Sequence, residues 1–329
     1  MTLRCLILVL CAGITGCTQL FFFPMKQEVR TPADIGLSYE DVYFPGGEDQ
    51  KLHGWYLPAV GHARATVLFL HGNAENISTH IGSVYWLPER GFNVFIFDYQ
   101  GYGQSDGVPS IAGALGDVEA ALGFLVRHSE HYGEPVIVFG QSLGGALAIH
   151  AVVHSAYRRH IKGLIADSAF ADYRLIAREK LAGFWLTWPL QWPLSLTIND
   201  DYSPLYEVRD VAPIPLLIIH GEEDQVVPVH HARLLYERAQ EPKSIWIFPD
   251  GLHGGSVRYP DVRNRLVGYM NHLLVAARPS CPNPGCRAIP GVHIGGHDNN
   301  PAVAGRSPTC HRVEDGPEAI RRCNAPAAR

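Results

Sequence analysis

The chain has 329 residues, of which 47% are hydrophobic and 18% are charged, and its formal net charge is −5. This composition is typical of a globular protein with a substantial apolar core, organised as one α/β domain or two small ones. The slight acidity and the absence of clustered Lys and Arg exclude a typical nucleic-acid-binding protein, which presents a basic face.

The first residues have the features of an export signal. Arg4 precedes an apolar stretch at 6–14, which is far shorter than the roughly 20 residues that span a bilayer. Ile14-Thr15-Gly16-Cys17 resembles a bacterial lipobox, with an ordinary signal peptide as the alternative. The resemblance implies that residues 1–16 are removed and that acyl chains on Cys17 anchor the protein. We therefore expect a lipid-anchored membrane protein of the bacterial cell envelope, on the periplasmic face, with the outer membrane favoured.

The next segment leads into the folded domain. Residues 17–36 are predicted to be a membrane tether, with Phe21-Phe22-Phe23-Pro24 near the membrane surface. Two strand-like stretches at 42–44 and 52–57 flank a turn-rich segment, which predicts an antiparallel pair.

A different pattern follows, in which short, continuous apolar runs alternate with helical stretches. The runs lie at 65–70, 94–97, 136–139, 163–166, 216–219 and 244–248. The helical stretches lie around 79–90, 111–131, 144–157, 230–239 and 260–277. Strands that are apolar on both faces belong to parallel sheets covered by helices on each side. The alternation predicts a mostly parallel, doubly wound α/β sheet.

The alternation of apolar runs and helical stretches is interrupted at about 172–212, and this segment is predicted to be a small cap insertion. Residues 184–194 carry three of the six tryptophans of the chain. Three interpretations remain open: the aromatic side chains pack onto the body of the domain, they line an acyl pocket, or they enter the interface of a bilayer.

The last segment, 279–329, is rich in Pro, Gly, Ala and Asn and has no apolar periodicity. It is predicted to be a disordered tail whose removal leaves folding and activity intact. The tail holds four cysteines and several histidines, at Cys281, Cys286, His293, His297, Cys310, His311 and Cys323. Their spacing matches no established zinc pattern, so disorder or periplasmic disulfides are favoured and no metal is expected.

A nucleophile motif follows the third apolar run. Gly140-Gln141-Ser142-Leu143-Gly144 fits G-x-S-x-G, directly after a predicted strand and before a helix rich in small residues. In this context the serine lies on a strained turn, with the start of the helix favouring negative charge beside it. Ser142 is therefore the predicted nucleophile.

A serine hydroxyl needs a base, and the base needs an orienting acid. In this type of sheet the acid follows the nucleophile in the chain and the histidine comes last. His253 is the histidine on the loop after the final strand and is the predicted base. Three carboxylates compete for the acid role after the fifth run, namely Glu222, Glu223 and Asp224. Asp167, after the fourth run, is a fourth candidate for this role.

An oxyanion hole requires two backbone N–H groups. Leu143, next to the nucleophile, is predicted to supply one, and Asn73, after the first run, the other. His71 is interpreted as a loop-packing residue. Tyr102 either lines the pocket or belongs to a loop that braces the nucleophile turn.

Three of these segments resemble the membrane-associated α/β-hydrolase family. They are H-G-N-A-x-N-x-S at 71–78, D-Y-x-G-Y-G-x-S-x-G at 98–107 and G-Q-S-L-G-G at 140–145. Members include bacterial lipoprotein hydrolases and eukaryotic acyl-protein thioesterase-like relatives. The resemblance implies the α/β-hydrolase fold over 37–278. It also implies that Asp224, within H-G-x-x-D-x-x-V-P, is the triad acid.

The expected function is that of a serine hydrolase that cleaves carboxylic esters or thioesters and needs no cofactor. Its expected substrate is a small or acylated ester, with no nucleic-acid partner. A peptidase of the same fold would be favoured by a carboxylate pair for a substrate amine, and a membrane-anchored binding protein by loss of a triad residue. Neither feature is evident in the sequence.

Overall fold

The computed structural model describes residues 21–132, 135–276, 310–314 and 319–323. The strands in these ranges are Phe23–Pro24 (β1), Tyr39–Pro45 (β2), Lys51–Leu57 (β3), Thr66–Leu70 (β4), Ala74–Glu75 (β5), Asn93–Asp98 (β6), Val136–Gln141 (β7), Ile161–Asp167 (β8), Leu216–Gly221 (β9), Lys243–Phe248 (β10), Cys310–Glu314 (β11) and Ala319–Cys323 (β12). The α-helices are Ile77–His80 (α1), Ile111–Arg127 (α2), Ser129–Tyr132 (α3), Leu143–His154 (α4), Tyr173–Ala182 (α5), Gln191–Ser195 (α6), Pro204–Glu207 (α7), His230–Arg238 (α8) and Pro260–Ala276 (α9).

Ten strands form the central sheet in the order β10-β9-β8-β7-β4-β6-β3-β2-β12-β11. The strands from β10 to β6 run parallel, and those from β3 to β11 pair antiparallel. β4, β6, β7 and β9 are buried along their whole length because helices cover both faces. The predicted doubly wound α/β sheet and the antiparallel pair β2–β3 are confirmed.

Two apolar layers hold the helices against the sheet. Side chains of α2, α4 and α8 belong to the layer on one face. Side chains of α9, together with the segment 77–87, belong to the layer on the other. The chain therefore presents the carboxyl ends of the parallel strands between two helical layers, where this type of sheet places its site.

The stretch at 79–90 is not the continuous helix that the sequence suggested. After α1 it forms two 3₁₀ turns, Ile81–Ser83 and Pro88–Arg90. Gly82 lowers helix propensity at the first turn, and Pro88 cannot donate a hydrogen bond within a continued helix.

The part of the predicted tether that the structure describes packs onto the domain. Phe22 is 6% exposed, and β1 pairs with β5. The Asn76 side-chain amide donates to the carbonyl oxygens of Met25 and Gln27 at 3.0 and 2.8 Å. Residues 21–27 thus form part of the domain rather than a free linker, because these hydrogen bonds satisfy their backbone. The predicted signal peptide and Cys17 lie outside the described residues.

The predicted disordered tail also needs correction where the structure describes it. β11 and β12 form an antiparallel hairpin, and β12 pairs with β2 at the edge of the sheet. Cys323 is 2% exposed and disulfide-bonded. An open sheet edge offers unpaired N–H and C=O groups, which β12 satisfies. The other positions of the tail, Cys281 and Cys286 among them, lie outside the described residues.

The cap insertion lies between β8 and β9, as predicted, and contains α5, a 3₁₀ turn at Trp188–Leu190, and α6. Its tryptophans do not pack onto the body of the domain, because Trp185, Trp188 and Trp192 are 79%, 60% and 60% exposed. In the described part of the chain, no helix combines the length and the apolar character that crossing a membrane requires.

Candidate active site

Ser142 lies on a sharp turn between β7 and α4. Its φ of 56° and ψ of −118° are strained for a residue with a side chain. The turn requires glycine at two positions. A Cβ on Gly140 would collide with the backbone of Gly144, and a Cβ on Gly144 would collide with the backbone of Leu70. The Ser142 N–H donates to the Asp167 carbonyl oxygen at 2.8 Å. This is the strand–turn–helix geometry expected for G-x-S-x-G.

Asp224 and His253 are joined directly. The His253 Nδ1–H donates to Asp224 Oδ2 at 2.7 Å. The second carboxylate oxygen, Oδ1, accepts from the N–H groups of Val226 and Val227, both at 2.8 Å. Burial acts to raise the pKa of Asp224. Hydrogen bonds from His220 and His253, the positive charge that His253 can carry, and the Val227 N–H outweigh burial and hold this pKa well below its ordinary value.

His220 supports the same carboxylate and was not predicted from the sequence. Its Nε2–H donates to the Val227 carbonyl oxygen at 2.7 Å and lies 3.3 Å from Asp224 Oδ2. The Val227 backbone is therefore bonded on both sides, with its carbonyl oxygen accepting from His220 and its N–H donating to Asp224. The signal in the sequence was the histidine four residues before Asp224, at the end of β9.

Asp167, a candidate acid in the sequence, engages different partners. Its Oδ2 accepts from Gln141 Nε2 at 3.1 Å, and its Oδ1 lies 3.3 Å from Ser168 Oγ. Burial raises the pKa of this carboxyl group, and the hydrogen bond from Gln141 opposes that effect. Ser168 Oγ accepts from Gly254 N at 3.0 Å, so this buried group holds the loop that carries His253.

Glu222 and Glu223, which precede Asp224 on the loop after β9, are exposed. Glu222 forms an ion pair with Arg233 at 2.7 Å. The structure brings Asp224, not these glutamates, to His253.

Asn73 and Leu143 line the same cavity as Ser142. Within the described part of the chain, neither backbone N–H has a protein acceptor. The Asn73 carbonyl oxygen, by contrast, accepts from the Phe23 N–H at 2.8 Å and from the Tyr102 hydroxyl at 2.6 Å. Tyr102 and the N-terminal segment therefore both brace the Asn73 loop at this carbonyl oxygen.

His71 is buried below this loop. Its Nδ1–H donates to the Gly72 carbonyl oxygen at 2.8 Å, and its ring lies 4.3 Å from that of Tyr99. Burial lowers the pKa of His71, with a further contribution from His80. These contacts are those of a neutral packing residue, as the sequence indicated.

Two cavities meet at Ser142. The first, of about 420 Å³, is lined mostly by apolar side chains from β1, the cap and the loop after Asp224. Among the described residues, Lys180 is the charged residue of its lining. The second, of about 330 Å³, is polar and includes Glu75, His80, His253 and Arg258 in its lining. Ser142 and Asn73 border both cavities, so a bound substrate can place chemically different groups on the two sides of the serine.

Two histidine–glutamate groups lie outside both cavities. In one, His150 and His154 are bonded to Glu207 at 2.7 and 3.0 Å. In the second, His231 Nδ1 accepts from the Ala171 N–H at 3.1 Å. Its Nε2 therefore carries the proton and donates to Glu179. With Nδ1 accepting and Nε2 protonated, neither ring nitrogen of His231 has a free lone pair for a metal.

Known proteins share this fold and sequence pattern. A family model described as serine aminopeptidase, S33, matches residues 61–211. An uncharacterized protein of Escherichia coli O157:H7, YfhR, is 40% identical over 79% of this chain and 88% of its own length. The α/β-hydrolase domain-containing protein WAV2 of Arabidopsis thaliana is 32% identical over 69% of this chain and 76% of its own length.

A solved esterase structure from Pyrococcus furiosus superposes with a TM-score of 0.63 at 21% identity, covering 78% of this chain and 98% of that chain. At this identity the likeness shows the fold alone. Together with the sheet and the turn at Ser142, the comparisons define a hydrolase of the α/β class. The chain belongs to the α/β-hydrolase family.

Proposed function

We propose that this protein is a serine hydrolase that cleaves carboxylic ester or thioester bonds through an acyl-enzyme. The observation that carries the proposal is the 2.7 Å bond from His253 Nδ1–H to Asp224. It fixes the tautomer, so that His253 Nε2 keeps its lone pair. Ser142 and His253 line the same cavity.

In the proposed reaction, Ser142 Oγ attacks the carbonyl carbon while His253 Nε2 takes its proton. The backbone N–H groups of Asn73 and Leu143 stabilise the oxyanion of the tetrahedral intermediate. His253 then gives its proton to the departing alcohol or thiol. Water then attacks the acyl-enzyme while His253 takes a proton from it. His253 returns the proton to Ser142, and the carboxylic acid is released. Asp224 stays ionised and stabilises the imidazolium.

The two cavities support an acyl substrate. The apolar cavity suits an acyl chain, since most of its lining residues are Phe, Leu, Ile, Val or Ala. The polar cavity, with Arg258 and Glu75, suits the leaving group. The family of the chain supports hydrolysis in general, and the apolar lining favours esters and thioesters within it.

Hydrolysis of p-nitrophenyl esters by the purified mature domain tests the proposal. We expect activity that rises with acyl length until the apolar cavity is filled, and near-complete loss in Ser142→Ala. A fluorophosphonate probe is expected to label Ser142 alone. Ser38→Ala, which changes an exposed residue before β2, is the control and is expected to behave as wild type. Labelling that survives Ser142→Ala would exclude Ser142 as the nucleophile.

A peptidase activity is the second candidate, favoured by Glu75 in the polar cavity and by the description of the matching family model. In that case Glu75 would bind the substrate amine. Aminoacyl p-nitroanilides then distinguish the two, because a peptidase hydrolyses them and loses this activity in Glu75→Gln. We expect the esters to be the better substrates by kcat/KM.

We also propose that Cys17 carries the lipid anchor. The sequence Ile14-Thr15-Gly16-Cys17 supports it, and each buried CH₂ of an acyl chain contributes roughly 0.8 kcal/mol of membrane affinity. Cys17→Ser is expected to leave the protein extractable from the membrane by an alkaline carbonate wash, which does not extract a lipidated protein, with its ester hydrolysis unchanged. Identical fractionation of the two forms, with no lipid in the intact mass, would exclude the anchor.

A further inference from the structure

The cap presents an apolar surface to water, which we call the cap face. Residues 183–198 contain no charged side chain. Eight of their large apolar side chains are between 41% and 79% exposed: Phe184, Trp185, Leu186, Trp188, Leu190, Trp192, Leu194 and Leu196. Contiguous apolar surface of this kind marks an interaction site in a soluble protein.

The polar side chains of the cap face are satisfied within the cap. Thr187 Oγ1 donates to the Leu181 carbonyl oxygen at 2.7 Å, and Gln191 Nε2 to that of Trp188 at 3.0 Å. The hydroxyl groups of Ser195 and Thr197 also donate to backbone carbonyl oxygens of the cap, at 3.0 and 2.7 Å. The face therefore directs few hydrogen-bonding groups outward to a protein partner. Such internal satisfaction lets an apolar surface enter the edge of the hydrocarbon region, where no water is available to polar groups.

The cap face is continuous with the apolar cavity that reaches Ser142. Leu194 belongs to both, since it is 41% exposed and lines the cavity. Phe23, 61% exposed, lines the same cavity from the N-terminal segment. An apolar path thus leads from the exposed surface to the serine.

The N-terminal segment enters the domain beside the cap. The Phe21 ring lies edge-on to that of Tyr173 on α5, with centroids 5.2 Å apart. Cys17 precedes Phe21 by four residues, which span at most about 14 Å. A lipid on Cys17 would therefore be tethered within about 14 Å of Phe21, which lines the apolar cavity.

Basic side chains border the cap face. The Arg178 guanidinium lies 4.3 Å from the centre of the Trp192 ring, and Lys180 is exposed at the cavity. Long basic side chains at the edge of an apolar surface reach the headgroups of a bilayer. Tryptophan is itself enriched at that depth.

We propose that the cap face lies in the interface of a lipid bilayer and that acyl chains enter the apolar cavity directly from the membrane. The inference deepens the proposed function and rests on it for the substrate, which becomes an acyl lipid or an acylated protein held at the membrane. Binding of the face to lipid does not itself depend on catalysis.

The test uses the mature chain with Cys17→Ser, so that the anchor does not obscure binding by the cap. Vesicles of phosphatidylethanolamine and phosphatidylglycerol are added, and binding is measured by co-sedimentation and by the blue shift of tryptophan fluorescence. We expect binding to fall at least tenfold in Trp185→Gln/Trp188→Gln. Hydrolysis of a soluble short-chain ester is expected to stay unchanged, and hydrolysis of a long-chain ester embedded in vesicles to fall with binding.

The matched control is Val60→Gln/Val275→Gln, which changes two side chains outside the cap that are 70% and 68% exposed. We expect it to bind vesicles as the parent does. Equal binding of the parent and the tryptophan variant would overturn the inference. So would a dimer in sedimentation velocity that the tryptophan variant dissociates, because the face would then cover a second copy. Vesicle binding without any ester hydrolysis would instead overturn the proposed function and leave the docking surface standing.

Discussion

The carboxylate of Asp224 is bonded at both oxygens, and one of its partners is the ring of His253 at 2.7 Å. The backbone N–H groups of Val226 and Val227 hold the second oxygen. The imidazole is thereby oriented by a carboxylate that is itself fixed by the chain directly after β9.

This arrangement predicts very different losses of kcat when each of the two candidate acids, Asp224 and Asp167, is replaced. Asp224→Asn is expected to lower kcat on a soluble ester by roughly 10³–10⁴-fold, because the amide favours the wrong histidine tautomer. Asp167→Asn is expected to lower kcat less than about tenfold. The reason is that Asp167 acts only through Gln141 and Ser168, which position the loop of His253. Equal losses in both variants would mean that Asp224 is not the sole acid.

The Tyr102 hydroxyl provides a second prediction, about the oxyanion loop. In Tyr102→Phe the 2.6 Å bond to the Asn73 carbonyl oxygen is lost, and the Asn73 N–H becomes less well fixed. A hydrogen bond of about 1 kcal/mol corresponds to roughly a fivefold fall in kcat, with KM little changed. Tyr43→Phe, which removes an exposed bond to Gln104, is the control. A change in KM alone would mean that Tyr102 acts on substrate binding.

Patterns within short stretches of the sequence were sufficient to predict the parallel strands and the loops that follow them. Continuous apolar runs identified the parallel strands, since β4, β6, β7 and β9 are covered on both faces. The motifs after those strands then identified which side chains meet at the carboxyl edge. Ser142 and the Asp224–His253 pair could be located because each lies directly after a strand.

The rest depends on contacts between segments distant in the chain. In isolation, the segment that contains Phe22 looks like part of a membrane tether. It belongs to the domain because the two residues after Phe22, which form β1, pair with β5. The apolar residues of β12 do not alternate with polar ones, because Arg321 and Arg322 are adjacent, so the sequence predicts no strand there. β12 forms by pairing with the open edge that β2 offers. The role of His220 required knowing that Val227 folds back between it and Asp224.

The tail hairpin gives a third prediction. Truncation after residue 276 removes β12 from β2 and Cys323 from the apolar layer that also contains Tyr39 and Trp55. We expect Tm to fall by about 5 °C while ester hydrolysis at 25 °C is retained, because β2 lies far along the sheet from β7. Truncation after residue 323 keeps both strands and should leave Tm unchanged. An unaltered Tm in the longer deletion would show that the hairpin does not stabilise the domain.

Asp98, at the end of β6, gives a prediction about pH and stability. Its side chain is fully buried, Oδ1 accepts from the Ile77 N–H at 2.9 Å, and Oδ2 has no partner within the described residues. Burial raises the pKa of Asp98 to about 7, against the opposing effects of His53 and the Ile77 N–H. In the unfolded chain this pKa is about 4.

Between these two values the folded protein binds the proton and the unfolded chain does not, so this group makes stability fall as pH rises from about 4 to about 7. Asp98→Asn is uncharged at every pH and lacks that dependence. Relative to wild type, its free energy of unfolding should therefore increase by on the order of a few kcal/mol between about pH 4.5 and about pH 8. Urea unfolding at several pH values measures this, with Asp106→Asn, at an exposed position, as the control. Parallel profiles for wild type and Asp98→Asn would show that Asp98 is ionised throughout in the folded protein.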